Sequence, residues 1–159
     1  MSNTAKMIAE IKMNKYMKEA LKEAFKGLHS NHGGPFGAVI VKSDKIVAKA
    51  HNQVLKQKDA TAHAEINAIR KASKKLNTFD LSGCELYTTC MPCPMCLGAI
   101  KWANIKTIYY GTTSEDADKI GFRDKEFYEK EFLEIKNIDA QECLKLFVAW
   151  HKKKDKTLY

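Results

Sequence analysis

Near the start of the chain, apolar residues recur at intervals of three and four, which is the spacing of an amphipathic helix. The pattern runs from Ile8 to Leu28 and ends before the turn His32-Gly33-Gly34-Pro35. Two short apolar runs, Phe36 to Val41 and Ile46 to Ala50, follow on either side of Ser43-Asp44-Lys45. They predict two strands that are joined by a polar turn.

The rest of the chain alternates between helical and strand-like patterns. Helices are predicted at Thr61–Leu76, Pro94–Ala103 and about Asp139–Lys153. Strands are predicted at Cys84–Thr88 and Ile105–Tyr110, with a further candidate at Phe132–Ile135. This alternation predicts a three-layer α/β/α fold around one mixed, largely parallel sheet of about five strands. Since no linker or repeat interrupts residues 1–159, we expect a single domain.

Composition places the chain among folded proteins, because 45% of its residues are hydrophobic and 29% are charged. No apolar stretch approaches the length of a membrane span, so no membrane association is expected. The N-terminal segment lacks the continuous apolar core of a secretory signal, which predicts a cytoplasmic location. Three of the five cysteines (Cys90, Cys93 and Cys96) lie within seven residues. In a reducing compartment that cluster favours metal binding or redox chemistry over a disulfide framework.

The net charge of +8 raises the question of a nucleic-acid partner. Only the C-terminal tail is dense in charge, with Lys152, Lys153, Lys154 and Lys156 close together. Elsewhere the basic residues are scattered, so we favour a solvated lysine-rich surface and keep nucleic acid as the alternative.

Two segments hold the candidate chemistry, and each opens a predicted helix. In the second segment, Cys93 and Cys96 are three positions apart, so their thiols share one helical face. A helix N-terminus favours thiolates, and two thiolates with the imidazole of His63 supply three ligands for zinc. Three ligands leave a tetrahedral position for water, whose proton Glu65 could accept and deliver to a substrate. The combination matches the signature of zinc-dependent deaminases of nucleobases.

A closed structural zinc site is the alternative interpretation. Cys90 would then be the fourth ligand, Glu65 would point away, and the protein would be a zinc-stabilised nucleic-acid-binding module. Because Cys90 ends a predicted strand before the turn, we expect it to pack beside the site. The other candidates are read as ordinary buried cysteines (Cys84, Cys143) or as surface and packing histidines (His29, His32, His51, His151).

At these motifs the chain resembles the cytidine deaminase superfamily and, within it, the small bacterial zinc-dependent guanine deaminases. The resemblance extends from about His32 to the C-terminus. It is carried by GGPFGAVIV (33–41), Asn52, TAHAEINAIRKA (61–72), CMPCPMCLGAI (90–100), GFRD (121–124) and the terminal Tyr159.

This resemblance implies a role for each matching residue. His63, Cys93 and Cys96 would bind zinc, and Glu65 would carry protons. The substrate set would be Phe36 stacking on the base, Asn52 bonding the ring, Asp124 reading polar edges of a purine, Tyr159 reaching over the site, and Ala64 and Pro92. The simpler alternatives are a core position for Phe36, a turn position for Asn52, a helix N-cap for Asp124 and a frayed chain end for Tyr159.

The activity that the resemblance implies is hydrolytic deamination of guanine to xanthine and ammonia. It also implies a homodimer in which the segment at about 139–159 is exchanged and caps the partner's site. A tRNA adenosine deaminase remains an alternative that the positive charge favours, whereas the PFGAV and GFRD segments and the terminal tyrosine disfavour it. Deaminases of guanosine, cytosine and related rings also stay open.

The chain departs from this family at two positions. Met91 stands where a glutamate usually precedes the Pro-Cys pair, which changes the hydrogen bonding available beside the ligands. Arg123 stands where guanine deaminases commonly have an acidic residue, next to Asp124. Both changes bear on the guanine assignment and leave the metal chemistry intact.

Overall fold

The structure, a computed structural model, describes residues 13–130 and 133–158. They divide into two compact units on either side of the boundary between Glu129 and Lys130. The first helix, α1, begins at Lys15, so the part of the predicted helix before Met13 lies outside the described residues.

The first unit consists of a four-stranded sheet with helices around it. Its helices are α1 (Lys15–His29), α2 (Val54–Gln57), α3 (Ala64–Leu76), α4 (Pro94–Trp102), α5 (Ser114–Lys119) and α6 (Asp124–Glu129). Its strands are β1 (Gly37–Lys42), β2 (Lys45–His51), β3 (Cys84–Cys90) and β4 (Thr107–Thr112), in the spatial order β2-β1-β3-β4.

The α/β class with a mixed sheet is confirmed, but two details of the prediction are corrected. The described residues form four strands, and only one of the three neighbouring pairs, β3 with β4, is parallel. The reason is the turn at Ser43 and Asp44, whose positive φ angles of 47° and 60° fold β1 and β2 into an antiparallel hairpin. The crossover β2–α3–β3 does join two strands that run in the same direction, but β1 lies between them.

The candidate strand at Phe132–Ile135 is wrong over its described part. Leu133 to Ile135 are not in a strand, and Leu133 and Ile135 are 71% and 81% exposed. The alternating pattern there resembles a strand, but a strand is stable only when a neighbouring strand pairs with it.

Alternate residues of β1 face opposite layers of helix, which produces the predicted α/β/α arrangement. Ala38 and Ile40 pack with buried alanines of α3, whereas Val39 and Val41 pack with Tyr16 and other residues on the α1 side. At the start of β1, a Cβ on Gly37 would lie 2.0 Å from the carbonyl oxygen of Ala20 in α1. The strand therefore contacts the helix backbone directly, and this contact fixes the position of the preceding Phe36.

The second unit contains one described helix, α7 (Ala140–Lys152). Cys143 is exposed on it, so the expectation that this cysteine is buried is wrong. The apolar side chains of the helix are exposed as well, namely Leu144, Leu146, Phe147, Val148 and Trp150. Among the described helices, none is both long enough and apolar enough to cross a membrane.

Candidate active site

Two helix N-termini bring the predicted metal ligands together. His63 is the N-cap of α3 and Cys93 is the N-cap of α4, which has Pro94 in its first turn. Cys96 follows one helical turn after Cys93. The Nδ1 atom of His63 lies 3.7 Å from the Sγ atom of Cys93 and 3.6 Å from that of Cys96.

The donor atoms of His63, Cys93 and Cys96 all lie within 4.8 Å of one another, so one metal ion could contact all three. A set of two thiols and an imidazole suits zinc. Cys90 is not part of this set in the described structure, since its thiol donates to the carbonyl oxygen of Thr113 at 3.5 Å. The four-ligand arrangement of the structural-zinc alternative is therefore not formed, and Cys90 packs beside the site as predicted.

The two thiols have opposite acidities before a cation is present. The hydrogen bond between the two thiols is the main cause that lowers the pKa of Cys93, to about 4, and the hydrogen bond with His63 also lowers it. The same bond with Cys93, followed by burial and the nearby Glu65, raises the pKa of Cys96. Since two adjacent thiolates repel each other, both thiols ionise only when a cation lies between them.

Glu65 is buried at the first turn of α3 and faces the ligand set. Its Oε1 atom accepts a hydrogen bond of 2.9 Å from the hydroxyl of Thr88, and its Oε2 lies 3.5 Å from the Sγ atom of Cys96. Burial raises the pKa of this carboxyl, and the bond from Thr88 partly opposes the rise. A carboxyl with a raised pKa holds a proton more readily than an ordinary one, which suits a group that must both accept and release protons.

A cavity of about 460 Å³ opens onto the ligand set. Of the residues predicted from the sequence, six line it, namely Phe36, Asn52, His63, Glu65, Cys93 and Asp124. Ala64 and Pro92 were expected to contact substrate, but both are buried and neither lines the cavity. Tyr159 lies outside the described residues.

The apolar part of the cavity wall includes a pair of phenylalanines. The ring of Phe36 meets that of Phe122 edge to face, with centroids 4.8 Å apart. Gly34 lies against both rings, because a Cβ there would be 2.7 Å from Phe122 and 2.8 Å from Phe36. Phe36 is therefore held by a ring contact at the cavity, which the sequence analysis did not include.

The polar part of the wall includes the amide of Asn52. Its Oδ1 atom accepts hydrogen bonds from the backbone N–H groups of Val54, at 3.1 Å, and Gly34, at 3.3 Å. Since both donors are backbone N–H groups, the oxygen must be the atom that faces them. Asn52 therefore caps the turn and leaves its NH₂ group as the end available to a ligand.

Asp124 begins α6 and supplies an acidic group to the cavity. Burial raises the pKa of its carboxyl, and the negative charge of Cys93 adds to the rise. Arg123 extends over the ring of Phe127, with its Cζ atom 5.2 Å from the ring centroid. Its guanidinium therefore stacks on an aromatic ring, and among the described residues no ion pair joins it to the carboxyl of Asp124. Met91 lines the same cavity with its apolar side chain.

Sequence reasoning missed Thr88 and Phe122. Thr88 is fully buried in β3, and its contact with Glu65 depends on how α3 lies across the sheet, which no local pattern encodes. Phe122 belongs to the GFRD segment, so that segment was the available signal for it.

Comparisons with known proteins agree with this geometry. The family model for the cytidine and deoxycytidylate deaminase zinc-binding region matches residues 11–112. The guanine deaminase of Bacillus subtilis (strain 168) is 42% identical, over 91% of this chain and 97% of that protein. An X-ray structure of the Bacillus subtilis guanine deaminase covers 92% of this chain and 99% of its own, with a TM-score of 0.87.

Two further relatives show the range of the similarity. The tRNA-specific adenosine deaminase of Buchnera aphidicola subsp. Schizaphis graminum is 39% identical, over 87% of this chain and 93% of that protein. A guanine deaminase structure from Nitrosomonas europaea is 34% identical over 69% of this chain and 63% of its own, with a TM-score of 0.65. These similarities confirm the resemblance that the motifs predicted.

The three-ligand geometry predicts how zinc content responds to single substitutions. We expect about one zinc ion per chain in the wild type, and a loss of most of it in Cys96→Ser or His63→Ala, because two ligands hold zinc poorly. Cys90→Ser is the informative comparison and should keep its zinc, as should the control Cys84→Ser. Elemental analysis of the purified variants measures this. Loss of zinc in Cys90→Ser would show that Cys90 is a ligand.

Proposed function

Because the chain belongs to the cytidine and deoxycytidylate deaminase zinc-binding family, we propose that it hydrolyses guanine to xanthine and ammonia. One observation carries the choice of substrate. The cavity beside the ligand set combines an aromatic face, an amide NH₂ group and a carboxylate, supplied by Phe36, Asn52 and Asp124. A flat ring that presents both acceptors and donors along its edges, as guanine does, suits these three groups. The name of the Bacillus subtilis relative supports the same choice.

The residues of the wall would orient the base. Phe36 offers a ring face for stacking, and its edge contact with Phe122 keeps that face in place. The NH₂ group of Asn52 donates to an acceptor on the ring, and the carboxylate of Asp124 accepts from a ring N–H. Holding the base by two polar groups and one face fixes which carbon meets the attacking water.

Glu65 would move the protons of the reaction. A zinc ion held by His63, Cys93 and Cys96 supplies the Lewis acidity that makes water nucleophilic near neutral pH. Glu65 accepts a proton from the attacking water and delivers it to a ring nitrogen. It then takes the remaining proton from the hydroxyl that has been added to the ring carbon and gives it to the departing amine, so that water and guanine become xanthine and ammonia. The hydroxyl of Thr88 holds the carboxyl in the orientation that both transfers need.

The two departures from the family pattern are compatible with guanine. Met91 adds an apolar side chain to the wall, which can pack against the flat ring. Arg123 is stacked on Phe127, so the charge beside Asp124 does not occupy the carboxylate that the base needs.

Substitution of the proton carrier and of its support should reduce the rate to different degrees. Glu65→Gln should keep its zinc and lose about 10²–10⁴-fold in kcat, because the amide cannot accept the proton. Thr88→Val keeps the shape of the side chain and removes only the bond to Glu65, so we expect a smaller loss of about 10–100-fold. Thr107→Val, on the neighbouring strand, is the matched control. Steady-state kinetics measure both effects, and near-full turnover by Glu65→Gln would refute the assigned role.

A tRNA adenosine deaminase is the second candidate function. The net charge of +8 favours it, and so does the Buchnera aphidicola relative. Against it, the guanine deaminase of Bacillus subtilis is 42% identical over 91% of this chain, whereas the Buchnera aphidicola protein is 39% identical over 87%. Deaminases of guanosine and cytosine are further alternatives that the same assay separates.

Ammonia release from a panel of substrates decides among these activities. We expect turnover with guanine to exceed that with guanosine, adenine, cytosine, cytidine and tRNA by about 10²-fold or more, because a site built to hydrogen-bond one ring leaves buried groups unpaired with another. Turnover on RNA alone, with binding that weakens steeply as salt rises, would establish the tRNA activity instead.

We also propose a cytoplasmic homodimer whose C-terminal segments, at about 139–159, are exchanged so that each caps the partner's site. The exposed apolar side chains of α7 support this, because a stable protein rarely leaves so many on one helix without a covering partner. A closed cap would exclude water from the cavity. The five free cysteines suit a reducing compartment.

Mixed dimers test the exchange. We expect a mass of twice the 18.0 kDa chain by light scattering. Glu65→Gln subunits mixed with subunits that end at Leu158 should recover up to about a quarter of wild-type activity, because each mixed dimer contains one intact site capped by the other chain. No recovery, despite confirmed exchange of subunits, would show that each segment serves its own subunit.

A further inference from the structure

Behind one wall of the cavity, three titratable side chains form a hydrogen-bonded chain. The Oε2 atom of Glu23 in α1 lies 2.9 Å from Nδ1 of His51, and Nε2 of His51 lies 2.9 Å from Nδ1 of His32. We propose that this Glu23–His51–His32 network is a positioning device that holds Asn52 for binding of the base. The inference rests on the proposed function only for the identity of the ligand.

The hydrogen bonds assign a role to each ring nitrogen. A carboxylate only accepts, so Nδ1 of His51 carries a proton and donates to Glu23. The amide NH₂ group of Gln53 lies 3.5 Å from Nε2 of His51 and can only donate, so this Nε2 is an acceptor and also accepts from Nδ1–H of His32. Burial and then the charge of Lys56 lower the pKa of His32, which favours the neutral form of that ring. Both hydrogen bonds therefore point the same way: His32 donates to His51, and His51 donates to Glu23.

Each histidine is next in the chain to a part of the Asn52 site, either Asn52 itself or the Gly33-Gly34 turn that contacts its amide. His51 precedes Asn52 itself. His32 precedes Gly33, where a Cβ would lie 2.0 Å from Oδ1 of Asn52, and Gly34 follows and donates its N–H to that oxygen. The bond between the two imidazoles therefore joins the two chain segments at the place where the amide is held.

Helix α1 anchors the network. The ring of His51 is packed against Gly27, where a Cβ would lie 2.7 Å from Cδ2, and Glu23 lies one turn earlier on the same helix. The backbone N–H of His32 donates to the carbonyl oxygen of Gly27, and its carbonyl accepts from Leu55, which lines the cavity. The wall that touches the base is thus tied to a rigid helix.

Neither histidine lines the cavity, so the network acts through Asn52 and is not catalytic. It should consequently affect binding of the base more than the chemical step. Weakening one bond of the network, by removing the charge of its Glu23 acceptor, would let the Gly33-Gly34 turn and the amide move, and small displacements of a binding group are costly.

Glu23→Gln tests the network in the zinc-loaded enzyme, with Glu19→Gln as the matched control. Glu19 lies one turn away on α1 and forms exposed ion pairs with Lys22 and Lys49, so the control removes the same charge without touching either histidine. We expect Glu23→Gln to raise KM for guanine about tenfold with kcat within about threefold and zinc content unchanged. Glu19→Gln should change neither constant by more than about twofold. Equal KM values in the two variants, or a fall in kcat with loss of zinc, would overturn the proposal.

Nuclear magnetic resonance gives a readout that does not depend on activity. Nitrogen spectra of the wild type should show protonated Nδ1 on both His32 and His51. In Glu23→Gln, and not in Glu19→Gln, the amide signals of Gly33 and Gly34 should shift. Unshifted signals would overturn the positioning role whatever the substrate. If Glu23→Gln does not fold, the wild-type spectra decide, because an unprotonated Nδ1 on either ring breaks the chain of donors. Failure of the wild type to deaminate guanine would refute the proposed function alone.

Discussion

Repulsion among acidic groups is the constraint on which the site depends. The thiols of Cys93 and Cys96 lie close to the carboxyl of Glu65, the carboxyl of Asp124 lines the adjoining cavity, and His63 is their basic neighbour. Burial disfavours the charged form of each carboxyl, and the negative charge of Cys93 further disfavours ionisation of the others. A divalent cation removes this conflict, since it lets both thiols ionise and leaves Glu65 able to exchange a proton. Metal binding and proton transfer are therefore two consequences of one charge distribution.

The topology of the sheet explains why the ligands meet. Strands β2 and β3 run in the same direction, because each is antiparallel to β1 between them. The segments that follow β2 and β3 therefore leave the sheet at the same edge, and they lead into α3 and α4. The two helices begin side by side, with His63 and Cys93 as their N-caps. The same meeting of ligands is compatible with the mixed, largely parallel sheet that the sequence predicted, because it depends only on the directions of β2 and β3.

The features that could be predicted from the sequence are those fixed by local spacing. The Cys93-Pro94-Met95-Cys96 segment starts a helix whichever way the sheet is ordered, so its thiols share one face. The features that could not be predicted depend on distant segments. The contact of Thr88 with Glu65 joins a strand to a helix 23 residues away, and that of Glu23 with His51 spans 28 residues. For the same reason the sequence predicts only surface or packing roles for His32 and His51, since nothing near them in the sequence indicates that they bond each other.

The residues that would carry out the chemistry lie on rigid elements, whereas those that would select the substrate lie mostly on turns. The four residues at the metal site lie at helix starts, where the helical backbone fixes the direction of each side chain. They are His63, Glu65, Cys93 and Cys96. The groups that would recognise the ring lie mostly on connecting segments, since Gly34, Asn52 and Phe122 fall between elements and Asp124 only begins one. Turns accept substitutions more readily than helix starts that hold a metal. A common metal centre can consequently serve different rings, as the names of the guanine and tRNA adenosine deaminase relatives indicate, and specificity then depends on what holds the turns in place.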